Sequence, residues 1–312
     1  MKRKFITAMF ISFILAISVS AENSYDFNQD DVFDTNDITI LQSSLVKKNS
    51  ELSENLSDFD TDEDGKVNIF DLIICKRALN STNQKYQPVE VPTQKGNYTF
   101  NGFDYTYQDT SLPIREAKIG SMDNSENVKL VIYLHGGHSC GTDNQAQLED
   151  TALKNIADYL SSQQMNAILL APQCSKDHLW TYKPNKQLLK SLIDSYTLNN
   201  TVNKDKIFML GASAGGTGTW NMIADYPDLF CAAMPSVSSP EGLSADDLSQ
   251  TPVCVVLGEN DVMFPPEEVE PLIETIKSSG GEVLYQIREN CKHPQACETA
   301  FTDECLEWVL NR

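Results

Sequence analysis

The stretch Lys206-Ile207-Phe208-Met209-Leu210-Gly211-Ala212-Ser213-Ala214-Gly215 carries the clearest signal of the fold. Its first half is a short apolar run with the length and character of a strand buried on both faces. Its second half is a Gly-x-Ser-x-Gly string, and the residues that follow, through Met222 and Ile223, are spaced as on a helix. The string alone is a weak signal, because glycine is common. Its place between a strand and a helix gives it meaning. Glycines at both ends let the chain reverse over a single strained residue, exposing the serine hydroxyl and aiming the helix N-terminus at any negative charge that develops beside it.

On either side of this stretch, apolar runs recur at 129–134, 167–171, 252–257 and 282–287, and segments with helical periodicity lie at 149–163 and 187–197. Apolar strands alternating with helices predict an α/β domain with a mostly parallel sheet covered by helices on both faces. Chemistry in such sheets sits at the carboxyl ends of the strands. Ahead of them, Tyr98, Phe100, Phe103, Tyr105 and Tyr107 predict alternating strands around a turn at Asn101-Gly102.

A serine hydroxyl is too weakly acidic to attack an acyl carbon unaided, so it needs a neighbouring base, and the base needs an orienting acid. The chain has four histidines. His135 and His138 follow an early strand and His178 lies in a polar loop, whereas His293 follows the last strand, where this fold places the base. Asp261 directly follows the strand ending at Leu257 and is the expected acid, with Glu259 and Glu267 as substitutes. The order Ser213, Asp261, His293 is that of the α/β-hydrolases. Cys291 and Cys297 bracket His293 and either close a disulfide or remain thiols.

Tyr133-Leu134-His135-Gly136-Gly137-His138 supplies a glycine-rich turn. The backbone N–H groups of Gly136 and Gly137 could join that of Ala214 in binding an oxyanion, since glycine lets backbone approach a substrate closely.

These residues, with Ala171-Pro172-Gln173-Cys174, Gly216-Thr217-Gly218-Thr219-Trp220 and Tyr226-Pro227-Asp228-Leu229-Phe230, resemble the secreted esterase branch of the α/β-hydrolases over residues 128–312. That branch includes feruloyl and acetylxylan esterases, polyhydroxybutyrate-depolymerase-like enzymes and proteins described as prolyl-oligopeptidase-like peptidases. The resemblance implies a serine hydrolase of carboxylic esters that needs no cofactor for catalysis. Ala214 departs from the bulkier residue, such as Met, of many relatives. His138 and Trp180 are candidate substrate contacts, whereas Trp220, on the elbow helix, is expected in the core.

The N-terminal part has a different organisation. Asp26, Asn28, Asp30, Val32, Asp34 and Asp37 recur 34 residues later as Asp60, Asp62, Asp64, Lys66, Asn68 and Asp71. Each set puts oxygen side chains at loop positions 1, 3, 5, 9 and 12 and a backbone carbonyl, from Val32 or Lys66, at position 7. That is the spacing of an EF-hand-like calcium loop. Each loop leads into a segment with one apolar helix face, at 38–41 and 72–74. Two such loop–helix repeats resemble the type I dockerin, a small all-α module that binds two calcium ions and attaches enzymes to a cohesin of a cellulosome scaffoldin. Asp31 stands in the first loop where Gly65 supplies the turn of the second.

Met1-Lys2-Arg3-Lys4, an apolar run at 5–19 and Val19-Ser20-Ala21 predict a secretory signal over 1–21, too short for an ordinary membrane span. The expected organisation is therefore signal 1–21, dockerin 22–80, a Ser/Thr/Gln-rich linker with Pro88 and Pro92 at 81–95, and catalytic domain 96–312. A net charge of −20 argues against nucleic acid as a partner. The expected function is a secreted, cellulosome-associated esterase removing feruloyl or acetyl groups from plant cell-wall polysaccharide such as xylan. The alternatives are a prolyl-oligopeptidase-like serine peptidase and a catalytically inactive cell-wall-binding module.

Overall fold

A computed structural model describes residues 27, 35–47, 67, 72, 75, 85–199 and 201–312. The chain divides into two compact units, Met1–Gln84 and Lys85–Arg312.

In the first unit, helix α1 (Thr35–Lys47) buries Ile38 and Leu41 with Val67, Leu72 and Cys75, and Phe27 and Leu45 pack against them. Asp37 is buried in the first turn of α1, and its Oδ1 accepts the backbone N–H of Phe27 at 2.7 Å. The other expected calcium ligands, Asp26, Asn28, Asp30, Val32, Asp34, Asp60, Asp62, Asp64, Lys66, Asn68 and Asp71, lie outside the described residues. So does the expected signal at 1–21.

The second unit is a nine-stranded sheet. Its strands are β1 (Val89–Pro92), β2 (Asn97–Tyr107), β3 (Thr110–Ile119), β4 (Val128–Leu134), β5 (Asn166–Pro172), β6 (Ile207–Ala212), β7 (Ala232–Ser236), β8 (Val253–Gly258) and β9 (Val283–Arg288), in the order β1-β2-β3-β5-β4-β6-β7-β8-β9. Pairing is antiparallel from β1 to β5 and parallel from β5 onward. Side chains alternate across the parallel strands. On one face Val131, Leu169, Phe208, Leu210 and Val256 pack with α2 (Thr151–Ser162), α7 (His293–Thr299) and α8 (Asp303–Leu310). On the other, Leu130, Ile132, Ile168, Met209 and Val255 pack with α3 (Lys183–Leu198), α4 (Ala214–Asp225) and α6 (Pro266–Ser278), with the short α5 (Ala245–Leu248) adding Leu248. Among the described residues no helix is long and apolar enough to cross a membrane.

Three expectations are corrected. Asn101-Gly102 is not a turn: β2 runs straight through it, and the reversal comes at Gln108, whose φ is 52°. Gly102 serves close approach instead, since a Cβ there would sit 2.4 Å from Cβ of Tyr86 and 2.9 Å from Nη1 of Arg115. The expected linker also ends early. Tyr86 is buried and β1 pairs with β2, because the buried Arg115 donates to Gln87 O at 2.7 Å and to Phe100 O at 3.2 Å, drawing that segment onto the domain. Finally, β7 lies between β6 and β8 where no strand was expected; it is five residues long and starts with two alanines, so it carries little apolar signal.

Candidate active site

The strand order reverses at β4, whose neighbours β5 and β6 follow it in the chain on opposite sides. A crevice opens there, at the carboxyl ends of β4 and β6. The two ends are in register, Leu134 opposite Gly211, so the turn after β4 lies beside the turn after β6.

Ser213 is the single residue between β6 and α4, with φ 56° and ψ −121°. A non-glycine residue rarely adopts positive φ, and holding one there costs about 1–3 kcal/mol. Neighbouring backbone fixes it: Ser213 N–H donates to Ser236 O at 3.2 Å, and Ser213 O accepts from Thr217 N–H at 2.9 Å. Its Oγ lies 2.8 Å from Nε2 of His293.

His293 opens α7, and its Nδ1 lies 2.8 Å from Oδ2 of Asp261. The other oxygen of Asp261 accepts the N–H groups of Met263, at 2.8 Å, and Phe264, at 3.2 Å, so the carboxylate is anchored by its own loop. Phe264 packs against the His293 ring with centroids 5.8 Å apart. Backbone bonds tie the two loops together, Asn260 N–H donating to Cys291 O at 2.9 Å and Glu259 N–H to Arg288 O at 3.0 Å. Glu259 is occupied elsewhere, accepting Asn290 N–H at 2.7 Å, and Glu267 is exposed in the first turn of α6. A carboxylate only accepts, so Nδ1 carries the imidazole proton and Nε2 is left to take one from the serine. Hydroxyl, imidazole and carboxylate in this order can move a proton off Oγ and return it to a leaving group.

Ser213 and His293 line a cavity of about 500 Å³ with Gly136, Gly137, His138 and Met263. Gly136 is extended and residues Gly137–Ser139 form one tight turn, closed by Ser139 N–H donating to Gly136 O at 3.2 Å. Ala214 is the first residue of α4, where N–H groups have no partner within the helix.

The two candidate substrate contacts separate. His138 lines the cavity with its side chain 75% exposed and its Nε2 3.0 Å from Oδ1 of Asp150. Trp180 does not reach the cavity: it is fully buried, donating from Nε1 to His135 O at 2.9 Å and packing edge-on against the His135 ring. It supports the turn from beneath. Tyr133 and Cys297 line the cavity as well, and so do Asp150, Met263 and Glu298, which carried no local sequence signal.

Among the described residues, His135, Cys140 and Cys174 bring three possible metal-ligand atoms within 4.8 Å of one another. The histidine is already engaged at both nitrogens. Nδ1 lies 2.7 Å from Gly136 O, and Nε2 accepts Cys174 N–H at 3.1 Å, so the ring acts as a strut beneath the turn. Cys291 and Cys297 are both thiols. Cys297 lies 4.0 Å from Nε2 of His293, and burial, with Asp261 nearby, pushes its thiol up to about 12.

The sequence profile of the dockerin type I domain matches residues 24–80. No curated protein sequence matches the chain. Among solved structures, a thermostable esterase is similar with a TM-score of 0.62 at 24% identity, over 68% of this chain and 62% of that one. A feruloyl esterase module from Clostridium thermocellum, complexed with sinapinate, gives 0.56 at 15% identity over 72% and 93%. Esterase 2 from Thermogutta terrifontis gives 0.50 at 16% identity over 67% and 91%. The chain thus spans less than two thirds of the first of these structures, and at these identities the likeness is one of fold. A dockerin type I domain at residues 24–80 is therefore followed, in this chain, by a domain of α/β-hydrolase fold.

Proposed function

We propose that the α/β domain is a serine hydrolase of carboxylic esters. The observation that carries this reading is the unbroken relay from Ser213 Oγ through His293 to Asp261, with 2.8 Å at each step, opening on one cavity. Ser213 Oγ attacks the ester carbonyl as His293 Nε2 takes its proton. Backbone N–H groups of Ala214 and of the Gly136-Gly137 turn receive the oxyanion of the tetrahedral intermediate. His293 then gives the proton to the departing alcohol, and an acyl-serine remains. Water, deprotonated by the same imidazole, attacks the acyl-serine, and His293 returns the proton to Ser213 Oγ as the acid is released. Asp261 holds the ring throughout and stabilises the imidazolium.

The substrate in this reading is a feruloyl or acetyl ester on plant cell-wall polysaccharide. It is supported by the fold shared with a feruloyl esterase module and by the accompanying dockerin domain, which in this proposal binds the cohesin of a scaffoldin outside the cell after export through residues 1–21. Two calcium ions would be held by the two repeats. Asp37 fits that role, as a buried carboxylate drawn onto its own loop through Phe27. Turnover of methyl ferulate, acetylated xylan and casein, each against Ser213→Ala as blank, tests the reading. Ser213-dependent release of ferulate or acetate is expected, and turnover of casein alone would replace it with a peptidase. Chelation should unfold residues 22–82 in the far-ultraviolet spectrum; an unchanged spectrum would remove calcium from the account.

A further inference from the structure

One buried carboxylate in the cavity has no part in the relay. Asp150, the residue before α2, has a side chain only 4% exposed. It takes hydrogen bonds from Tyr133 Oη at 2.8 Å and Ser139 Oγ at 2.5 Å, and His138 Nε2 lies 3.0 Å from its Oδ1. All three neighbours belong to one stretch of chain: Tyr133 lies at the end of β4, and His138 and Ser139 complete the turn that follows.

The two ends of that turn are held by different contacts. Tyr133 is held by the sheet, opposite Leu210, and its ring packs edge-on against Phe301. Burial, with Asp150 beside it, pushes the Tyr133 phenol well above its ordinary range, so it remains a donor. The outer side of the turn has no such support, since a Cβ at Gly137 would meet nothing within 4 Å. At the far end, Ser139 O accepts from Gln173 Nε2 at 3.1 Å, and the Ser139 hydroxyl goes to Asp150. The His135 ring supports Gly136 from beneath, but packing leaves the outer side of the turn at Gly137 open, so hydrogen bonds at the ends of the turn help to set the direction of its N–H groups.

We propose that Asp150 is a positioning residue, which clamps the end of β4 to the far end of the Gly137–Ser139 turn and so aims that turn's N–H groups at the oxyanion. The proposal rests on the ester-hydrolase reading above. Asp150 touches no reacting atom in it. A donor lost from an oxyanion site costs about 10²–10³ in rate, and a donor displaced rather than removed should cost about 10–100-fold.

The test uses the full chain with p-nitrophenyl acetate, with kcat and KM measured separately and thermal melting recorded. Asp150→Ala is expected to lower kcat by about 10–100-fold with KM within about threefold, because ground-state binding does not depend on the oxyanion donors. Asp150→Asn, which keeps one acceptor oxygen, should recover part of the loss. If Asp150→Ala does not fold, Tyr133→Phe and Ser139→Ala each remove one tie and should each lower kcat by about 3–10-fold. Folded variants with kcat within about twofold of the parent, or changed only in KM, would overturn the proposal. A parent chain no faster than Ser213→Ala would instead overturn the ester-hydrolase reading, and the proposal with it.

Discussion

A side chain at Gly215 would place its Cβ 1.8 Å from the carbonyl oxygen of Leu134. The elbow helix and the end of β4 thus meet through a contact that admits only glycine, and this contact brings Ser213 beside the Gly136-Gly137 turn. Gly215→Ala should destabilise the domain by at least about 3 kcal/mol, beyond ordinary overpacking, because backbone rather than a pliable side chain must yield. At Gly137 there is open space, and Gly137→Ala should stay within about 1 kcal/mol of the parent. Urea unfolding of the two variants checks this, and equal stabilities would contradict it.

Strain at Ser213 gives a second prediction. Both Ser213→Ala and Ser213→Gly remove the hydroxyl, but only glycine accepts φ 56° and ψ −121° at little cost. Ser213→Gly should be the more stable of the two by about 1 kcal/mol, even though glycine gains entropy in the unfolded chain. A glycine variant that melts below the alanine variant would show that the elbow stores no strain.

Asp261 makes two kinds of contact, one to His293 and two to its own loop. Asp261→Asn keeps an oxygen for the N–H groups of Met263 and Phe264 but no longer stabilises the imidazolium. It should fold normally and lose about 10²–10⁴ in kcat. Glu259→Gln should lose less than about threefold, since Glu259 faces Asn290. Kinetics of the pair decide between the two carboxylates, and an unaffected Asp261→Asn would remove Asp261 from the relay.

Burial holds the His135 imidazole below its ordinary pKa. The unfolded chain therefore binds a proton at this residue at a higher pH than the folded chain does, so stability rises with pH across that interval. The contribution is fully present above the ordinary histidine value of about 6.5 and is lost as pH falls towards the depressed folded value. The melting temperature should fall as pH drops below about 6.5, and His135→Gln should flatten that slope. Parallel slopes for parent and variant would show that other groups set it.

Much of this architecture can be read locally. The strand ends before Gly136, Ser213 and Glu259 are apolar runs followed by glycine, and local chemistry of that kind survives in sequence. Asp150 could not be read in this way. Its polar neighbours are Tyr133, His138 and Ser139, and only the tertiary approach of α2 to the turn brings them together. Trp180 misleads for the opposite reason. An aromatic residue in a polar loop suggests an exposed platform, but an indole N–H that finds His135 O can be buried at little cost. The segment at 85–92 reads as linker because it is rich in polar residues and proline; its order comes from Arg115, 23 residues beyond Pro92. The short β7 has too few large side chains to stand out from a loop.

Activation of Ser213 by His293 is the core of the proposed mechanism. Labelling the full chain with a fluorophosphonate and mapping the modified peptide by mass spectrometry tests it most directly. One adduct is expected, on Ser213, with labelling slowed at least about 10³-fold in His293→Ala and absent in Ser213→Ala. Labelling of another residue, or equal labelling of the His293→Ala protein, would contradict it.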